Sequence, residues 1–142
     1  MQPIRILAAA VLTACCSSVI AQSIPAGVTG LYGARVEACF GSKCESGYAD
    51  TILISPLGRD HVRVDISLFF QNGEQCDVEK ATGIWRDRHL LVEIEGPPAC
   101  KLHLHFSRGR VKLRDDLDAP CVRIFCGFNG SLNATLPKKG NL

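Results

Sequence analysis

The distribution of eight cysteines constrains this chain more than any other feature of its sequence. Two of them, Cys15 and Cys16, lie in an apolar N-terminal stretch. The rest of the chain carries the others: Cys39, Cys44, Cys76, Cys100, Cys121 and Cys126. An even set of cysteines in a short exported chain predicts a disulfide framework, here of six cysteines in three bridges. We therefore expect a cross-linked domain that folds in an oxidising compartment.

Residues 1–21 have the parts of a secretory signal peptide. Arg5 ends a short basic region, residues 6–14 are apolar, and Val19-Ile20-Ala21 fits a signal-peptidase site. Alternatively, Leu12-Thr13-Ala14-Cys15 resembles a bacterial lipobox, which would place a lipid anchor on Cys15. The even number of cysteines after Ala21 favours cleavage there. Lipidation of Cys15 would instead leave an odd number of other cysteines, and so one unpaired thiol. We predict one domain over residues 22–142, periplasmic or secreted and without a transmembrane segment, since no stretch reaches membrane-span length.

The charge of the chain is nearly balanced, with 16 Lys and Arg against 14 Asp and Glu. A protein that binds nucleic acid usually carries a strongly basic stripe, and a membrane-surface protein carries a polybasic cluster. Because the sequence shows neither pattern, we predict no nucleic-acid partner.

Alternation of apolar and polar residues predicts a chain made of short strands. The clearest example is the segment 61–70, in which Val62, Val64, Ile66 and Leu68 alternate with more polar neighbours. Asn72-Gly73 follows and predicts a hairpin with a type I′ turn. Further strands are predicted at 31–38, 51–55, 76–85, 90–95, 102–106, from 111 onward, and within 122–136.

The predicted fold class is all-β. No segment shows a helical period over ten or more residues, and the turns between strands are short. Seven or eight strands joined this way predict a small antiparallel meander that closes into a disulfide-stapled barrel, with a sandwich as the alternative. Residues 22–28 and 137–142 are interpreted as loose termini.

Spacing ranks the ways in which six cysteines can pair. Cys39 and Cys44 have four residues between them, and so do Cys121 and Cys126, so each pair fits a local loop. That leaves Cys76 with Cys100, a bridge between distant strands. A zinc site is disfavoured, because zinc cysteines usually come as C-x₂-C pairs, which are absent.

His103 and His105 form the candidate metal site. They lie two residues apart on one strand, so their imidazoles share a face and can reach one metal ion. A third ligand is needed, and the sequence does not choose among His61, His89 and Glu93. The simpler interpretation is a polar outer strand face. The acidic loop at 115–118 is likewise interpreted as a solvated turn rather than a cation site.

No catalytic residue or cofactor is predicted. The sequence has no nucleophile elbow, no phosphate-binding glycine loop and no H-E-x-x-H motif, and the cysteines after the leader are assigned to disulfides. Phe69 and Trp85 are the candidate partner-binding residues, within an aromatic patch that would include Tyr32 and Tyr48. Phe69 points opposite to the apolar side of its strand, which a partner or a second packing layer would explain.

Three segments carry a resemblance to a protein family. Asp50-Thr51-Ile52-Leu53-Ile54, the strand 62–70 with Asn72-Gly73, and Cys121…Cys126-Gly127-Phe128-Asn129-Gly130-Ser131-Leu132 resemble a group of small, largely uncharacterised bacterial periplasmic proteins. In export, size, cysteines and barrel pattern the chain is more distantly similar to the periplasmic inhibitors of C-type lysozymes. That resemblance implies a non-enzymatic binding module that blocks a cell-wall hydrolase. It assigns no inhibitory residue here.

Other functions stay open beside the inhibitor hypothesis. A small antiparallel barrel can hold a small ligand inside it or a metal ion on it, although its interior can also be filled by side chains. A purely structural role in the cell envelope is a further alternative. An internal cavity would favour the ligand-binding hypothesis, and a stoichiometric complex with a hydrolase would favour the inhibitor hypothesis.

Overall fold

The computed structural model describes residues 22–142, which form a closed antiparallel barrel. Each strand pairs with its neighbour along the chain, and the last pairs with the first. The strands are β1 (Gly30–Phe40), β2 (Lys43–Pro56), β3 (His61–Phe69), β4 (Gln75–Arg86), β5 (His89–Ile94), β6 (Cys100–Ser107), β7 (Arg110–Asp115) and β8 (Ala134–Gly140). The predicted all-β barrel is confirmed with eight strands, and the sandwich alternative is wrong. The leader predictions, including Cys15, lie outside the described residues.

Apolar side chains that alternate along the strands fill the barrel interior. On β3 the predicted inward residues Val62, Val64, Ile66 and Leu68 are buried, while the intervening positions are only partly so. The same alternation on the other strands buries Tyr32, Ile52, Ile54, Val78, Leu90, Val92, Leu102, Leu104, Val111, Leu113 and Leu136. A barrel of eight strands is just wide enough for its side chains to fill. Removing these side chains from water is what stabilises the closed sheet.

The two ends of the barrel differ. β1 finishes at one end and β4 and β6 begin there, so the strand register places Phe40, Cys76 and Cys100 at that end. We call it the disulfide end. At the opposite end β4 finishes with Trp85 and β5 begins with His89. We call this the tryptophan end.

The three disulfides found among residues 22–142 all lie at the disulfide end. The cysteines pair as Cys39–Cys44, Cys76–Cys126 and Cys100–Cys121. The hairpin bridge between β1 and β2 is therefore confirmed. The other two predicted pairs, Cys76–Cys100 and Cys121–Cys126, are wrong.

The geometry of the sheet explains both errors. β5 separates β4, which carries Cys76, from β6, which carries Cys100, and two strand spacings amount to about 9.6 Å. A disulfide needs Cα atoms within about 7 Å. Between Cys121 and Cys126 lies a single helical turn, α1 (Val122–Phe125), whose rise over five residues is about 7.5 Å. Each of these cysteines instead reaches a strand, with Cα–Cα distances of 4.1 Å for Cys76–Cys126 and 5.0 Å for Cys100–Cys121.

Residues 116–133 connect β7 to β8 across the disulfide end, and they differ from the prediction in structure as well as in pairing. The strand predicted within 122–136 is instead α1 followed by turns, and only its last residues belong to β8. β8 continues to Gly140, so most of the segment predicted as a loose C-terminus is a barrel strand. Leu132 within the connection is fully buried and packs against the core at this end.

The residues with positive φ in the turns also differ from the prediction. At Asn72-Gly73 only the glycine has a positive φ, of 81°, and the β3–β4 loop is longer than a two-residue turn. Consecutive positive φ values, which a type I′ turn requires, occur instead at Asp87-Arg88 and Arg108-Gly109. These two tight turns are the two-residue connections β4–β5 and β6–β7, and both lie at the tryptophan end.

Tyr32 closes the tryptophan end by holding the segment before β1. Its hydroxyl lies 2.9 Å from the carbonyl oxygens of both Gly27 and Val28, to which it can donate. Lys138 of β8 donates to the Gly27 carbonyl as well, at 2.6 Å. Val28 is buried as a result, so part of the predicted loose N-terminus is packed against the core.

Candidate functional site

The connection 116–133 presents large apolar side chains to solvent at the disulfide end. Phe128 is 98% exposed and Leu117 is 97% exposed, and Ile124 on α1 is exposed to a lesser degree. An exposed leucine is common on protein surfaces, but a fully exposed phenylalanine on a cross-linked segment is not explained by folding. Arg123 is exposed on α1 and lines a surface cleft of about 370 Å³ together with Phe128. This segment is the strongest candidate for a binding surface among the described residues.

Hydrogen bonds from backbone N–H groups to carboxylates fix the first part of this connection. The Asp115 carboxylate accepts the backbone N–H groups of Cys121 and Val122, at 2.7 and 3.0 Å. Asp116 accepts those of Asp118 and Ala119, both at 2.9 Å. The acidic loop, interpreted from sequence as a solvated turn, is therefore a structural support whose carboxylates bind the backbone.

The second part of the connection is held against β4. Cys126 is bonded to Cys76, and the Glu74 carboxylate accepts the backbone N–H of Asn129. A Cβ atom on Gly130 would lie 2.8 Å from the sulfur of Cys76 and 2.7 Å from the Cβ of Cys126. Glycine at position 130 is therefore needed for close packing against the disulfide. Phe128 projects from a segment that is fixed on both sides.

The predicted metal residues His103 and His105 lie on the outer face of β6, beside a third histidine on β5. His89 begins β5, and its ring stacks on that of His105 with the centroids 4.9 Å apart. His103 Nδ1 lies 3.3 Å from His89 Nε2. We call His89, His103 and His105 the histidine cluster. Among residues 22–142, no group of three or more potential ligands is already positioned to hold a metal ion.

Asp116 joins the histidine cluster to the connection. Its Oδ2 lies 2.8 Å from His103 Nε2, while its Oδ1 accepts the two backbone N–H groups described above. The hydrogen bond with His103, followed by those backbone bonds, lowers the pKa of Asp116 to about 2. Burial lowers the pKa of His105, and the neighbouring charges of His89, His103, Lys112 and Arg114 lower it further.

The aromatic residues predicted as one patch lie in two places. Phe69 is half-buried at the disulfide end, where its ring centroid is 5.0 Å from that of Tyr48. Trp85 is half-buried at the tryptophan end, 5.9 Å from Phe106, which in turn packs against Tyr32. The prediction that these residues form a single patch is therefore wrong. Partner binding by Phe69 or Trp85 separately stays a prediction.

Trp85 and Phe106 line a cleft of about 490 Å³ at the tryptophan end. The segment before β1 forms one wall of this cleft, and Arg88, Arg110 and Lys138 add basic groups to it. Because Tyr32 and the N-terminal segment fill its floor, the cleft lies outside the barrel core.

Comparison with protein-family models, with curated proteins and with solved structures gives no match. Within residues 22–142, no helix has the length and apolar character needed to cross a membrane. The three disulfides indicate that the domain forms in an oxidising compartment.

Sequence reasoning missed Phe128 and the link between Asp116 and His103. Phe128 lies between Gly127 and Asn129-Gly130, a turn-rich stretch with no alternation to show whether its side chain is buried. His89 was one of three candidate ligands for the predicted site. The β5–β6 register would have selected it, because the pairing of Leu90 with Leu104 brings His89 beside His105.

Proposed function

We propose that this protein is an exported, non-enzymatic binding module that inhibits a lysozyme-like cell-wall hydrolase, and that the connection 116–133 enters the hydrolase cleft. The observation that carries the proposal is Phe128, a 98% exposed aromatic side chain on a segment held by two disulfides. Aromatic residues dominate the binding energy of many protein interfaces. A periplasmic or secreted location would place the protein beside the cell wall.

Rigidity of the connection supports tight binding. Ordering a flexible loop on association costs conformational entropy, and a loop that is already fixed avoids most of that cost. The bridges Cys76–Cys126 and Cys100–Cys121, with the carboxylates of Asp115 and Asp116, hold the backbone on both sides of the exposed residues. Protein inhibitors of hydrolases use the same physical principle when they present a preorganised loop to a cleft.

The charge beside Phe128 fits the chemistry of a glycosidase cleft. Such enzymes place two carboxyl groups on either side of the scissile bond. Arg123 is exposed and lines the same surface cleft as Phe128, so its guanidinium is available to pair with a carboxylate of a partner. In this proposal Phe128 and Leu117 make apolar contacts with the hydrolase. The Arg123 guanidinium lies where positive charge would develop on the sugar during hydrolysis.

The test is calorimetric titration of the oxidised domain, residues 22–142, into a C-type lysozyme, together with lysis of cell-wall peptidoglycan by that enzyme. We expect a complex of one to one stoichiometry and inhibition that follows its formation. Phe128→Ala should weaken binding about 30-fold, the effect of removing an interface hot spot. Arg123→Ala should weaken it more at low salt than at high salt.

Leu57→Ala is the matched control, because Leu57 is also an exposed large apolar residue but lies between β2 and β3. It should leave binding unchanged. Absence of a complex with the lysozyme would contradict the inhibitor proposal. Binding that is equally insensitive to Phe128→Ala and Leu57→Ala would contradict the assignment of the surface.

A further inference from the structure

We propose that the histidine cluster binds one divalent transition-metal ion of the class that prefers imidazole ligands, such as zinc, with His89 and His103 as its first two ligands. This site is independent of the proposed hydrolase surface. Its position follows from the strand register. Leu91 of β5 pairs with His103 of β6, and the adjacent outward positions bring His89 beside both β6 histidines.

The distance between the facing nitrogens of His89 and His103 matches the distance between two ligands of a tetrahedral metal. A zinc–nitrogen bond is about 2.0–2.1 Å long, so two nitrogens on one edge of a zinc tetrahedron lie about 3.3–3.4 Å apart. His103 Nδ1 and His89 Nε2 are 3.3 Å apart. The two nitrogens therefore have the separation of two ligands of one zinc ion, and binding requires loss of the proton that they share in a ring N–H···N hydrogen bond.

Asp116 prepares His103 to act as a ligand. Its carboxylate lies 2.8 Å from His103 Nε2 and accepts a hydrogen bond from the Nε2–H group, which leaves the lone pair of neutral His103 on Nδ1. That nitrogen is the one that faces His89. Metal-binding histidines commonly donate their other N–H to a carboxylate, which fixes the tautomer and strengthens the ligand. Asp116 is itself fixed by the backbone N–H groups of Asp118 and Ala119.

His105 is the third ligand in this proposal. Its ring is 4.9 Å from that of His89 and 6.5 Å from that of His103, and its side chain is exposed. The rings are stacked rather than convergent, so His105 must rotate about its χ2 torsion, which has a broad energy profile. Three imidazoles leave one tetrahedral position for water or an external group. Lys112 and Arg114 on β7 are the nearby cations, and they would favour an anionic fourth ligand.

The experiment is calorimetric titration of the oxidised domain with zinc chloride, with histidine ring resonances followed by NMR. We expect saturation at one ion per chain and shifts confined to three of the four histidines. His103→Ala and His89→Ala should each reduce zinc affinity more than tenfold. Asp116→Asn should reduce it about 10- to 100-fold while the ligand resonances still shift, as expected of a group that positions a ligand.

His61→Ala is the matched control, because His61 lies on β3 and bonds to Asp60 instead of to the cluster. It should leave zinc affinity unchanged. Circular dichroism of each variant distinguishes loss of the metal site from loss of the fold. His103→Ala and His89→Ala test the site independently of each other. The proposal is overturned if zinc does not saturate a single site, or if His61→Ala lowers the affinity as much as His103→Ala.

Discussion

The two ends of the barrel are closed by different kinds of interaction. At the disulfide end, the connection 116–133 is bonded covalently to β4 and to β6 and is supported by buried Leu132. At the tryptophan end, tight turns join neighbouring strands, and hydrogen bonds from Tyr32 and Lys138 hold the N-terminal segment in place. Covalent bonds keep a segment fixed even when it buries little of its own surface. The difference explains how an irregular connection can expose Phe128 and still be rigid.

The largest expected effect is on the long-range disulfide. Replacing both Cys76 and Cys126 by alanine opens a loop with a sequence separation of 50, which should lower the free energy of unfolding by about 4 kcal/mol. The same change at Cys39 and Cys44 opens a separation of only 5 and should cost about 2 kcal/mol. Urea unfolding monitored by Trp85 fluorescence measures both. Equal losses of unfolding free energy in the two double variants would contradict the conclusion that the long-range disulfide stabilises the fold more than the hairpin disulfide.

The next largest expected effect on stability tests close packing at the disulfide end. Gly130→Ala should destabilise the protein by about 1–3 kcal/mol, because the new Cβ meets the Cys76–Cys126 bridge at less than 3 Å. Gly58→Ala is the control, since nothing lies within 4 Å of a Cβ at that position. Thermal unfolding of both variants tests this. Similar melting temperatures would show that the connection has room to move.

A smaller effect is expected at the tryptophan end. Tyr32→Phe removes the hydroxyl that bonds to Gly27 and Val28 and should cost about 1 kcal/mol at neutral pH, measured by urea unfolding. The variant should also free residues 25–28, which hydrogen exchange of the Val28 amide would report. Unchanged exchange at Val28 would contradict the role of Tyr32 as the group that holds this segment.

The same residue predicts a pH dependence. Burial raises the pKa of Tyr32 above its usual value of 10.0, so the folded state holds this proton more tightly than the unfolded state. Its contribution to stability is therefore complete below pH 10 and is lost as the pH rises through the folded pKa. Urea midpoints should fall more steeply above pH 10 for the wild-type protein than for Tyr32→Phe. Parallel curves would count against burial as the cause.

The smallest expected effect concerns Phe128. Phe128→Ala should change the free energy of unfolding by less than about 0.5 kcal/mol, because its ring is 98% exposed. An exposed aromatic that contributes nothing to stability is what a binding role predicts. A loss above about 1 kcal/mol in urea unfolding would show instead that the side chain packs against the disulfide end.

The period-two alternation made most of the strands predictable. The inward residues of β3, from Val62 to Leu68, were identified because a buried face leaves a pattern that is readable within a single strand. The same pattern placed His103 and His105 together on the outer face of β6. Errors concentrated in residues 116–142, where Gly127, Asn129-Gly130 and Pro137 obscured both α1 and the strand β8.

The sequence by itself determined an all-β chain, the alternation of its core and the presence of a disulfide framework, since each of these depends on local pattern or composition. Only the tertiary structure decided which cysteines pair, that Phe128 is exposed, and that His89 and Asp116 meet His103. The physical reason is closure of the barrel. The register between strands and the path of one long connection set the distances between residues far apart in sequence, and those distances choose the bonds.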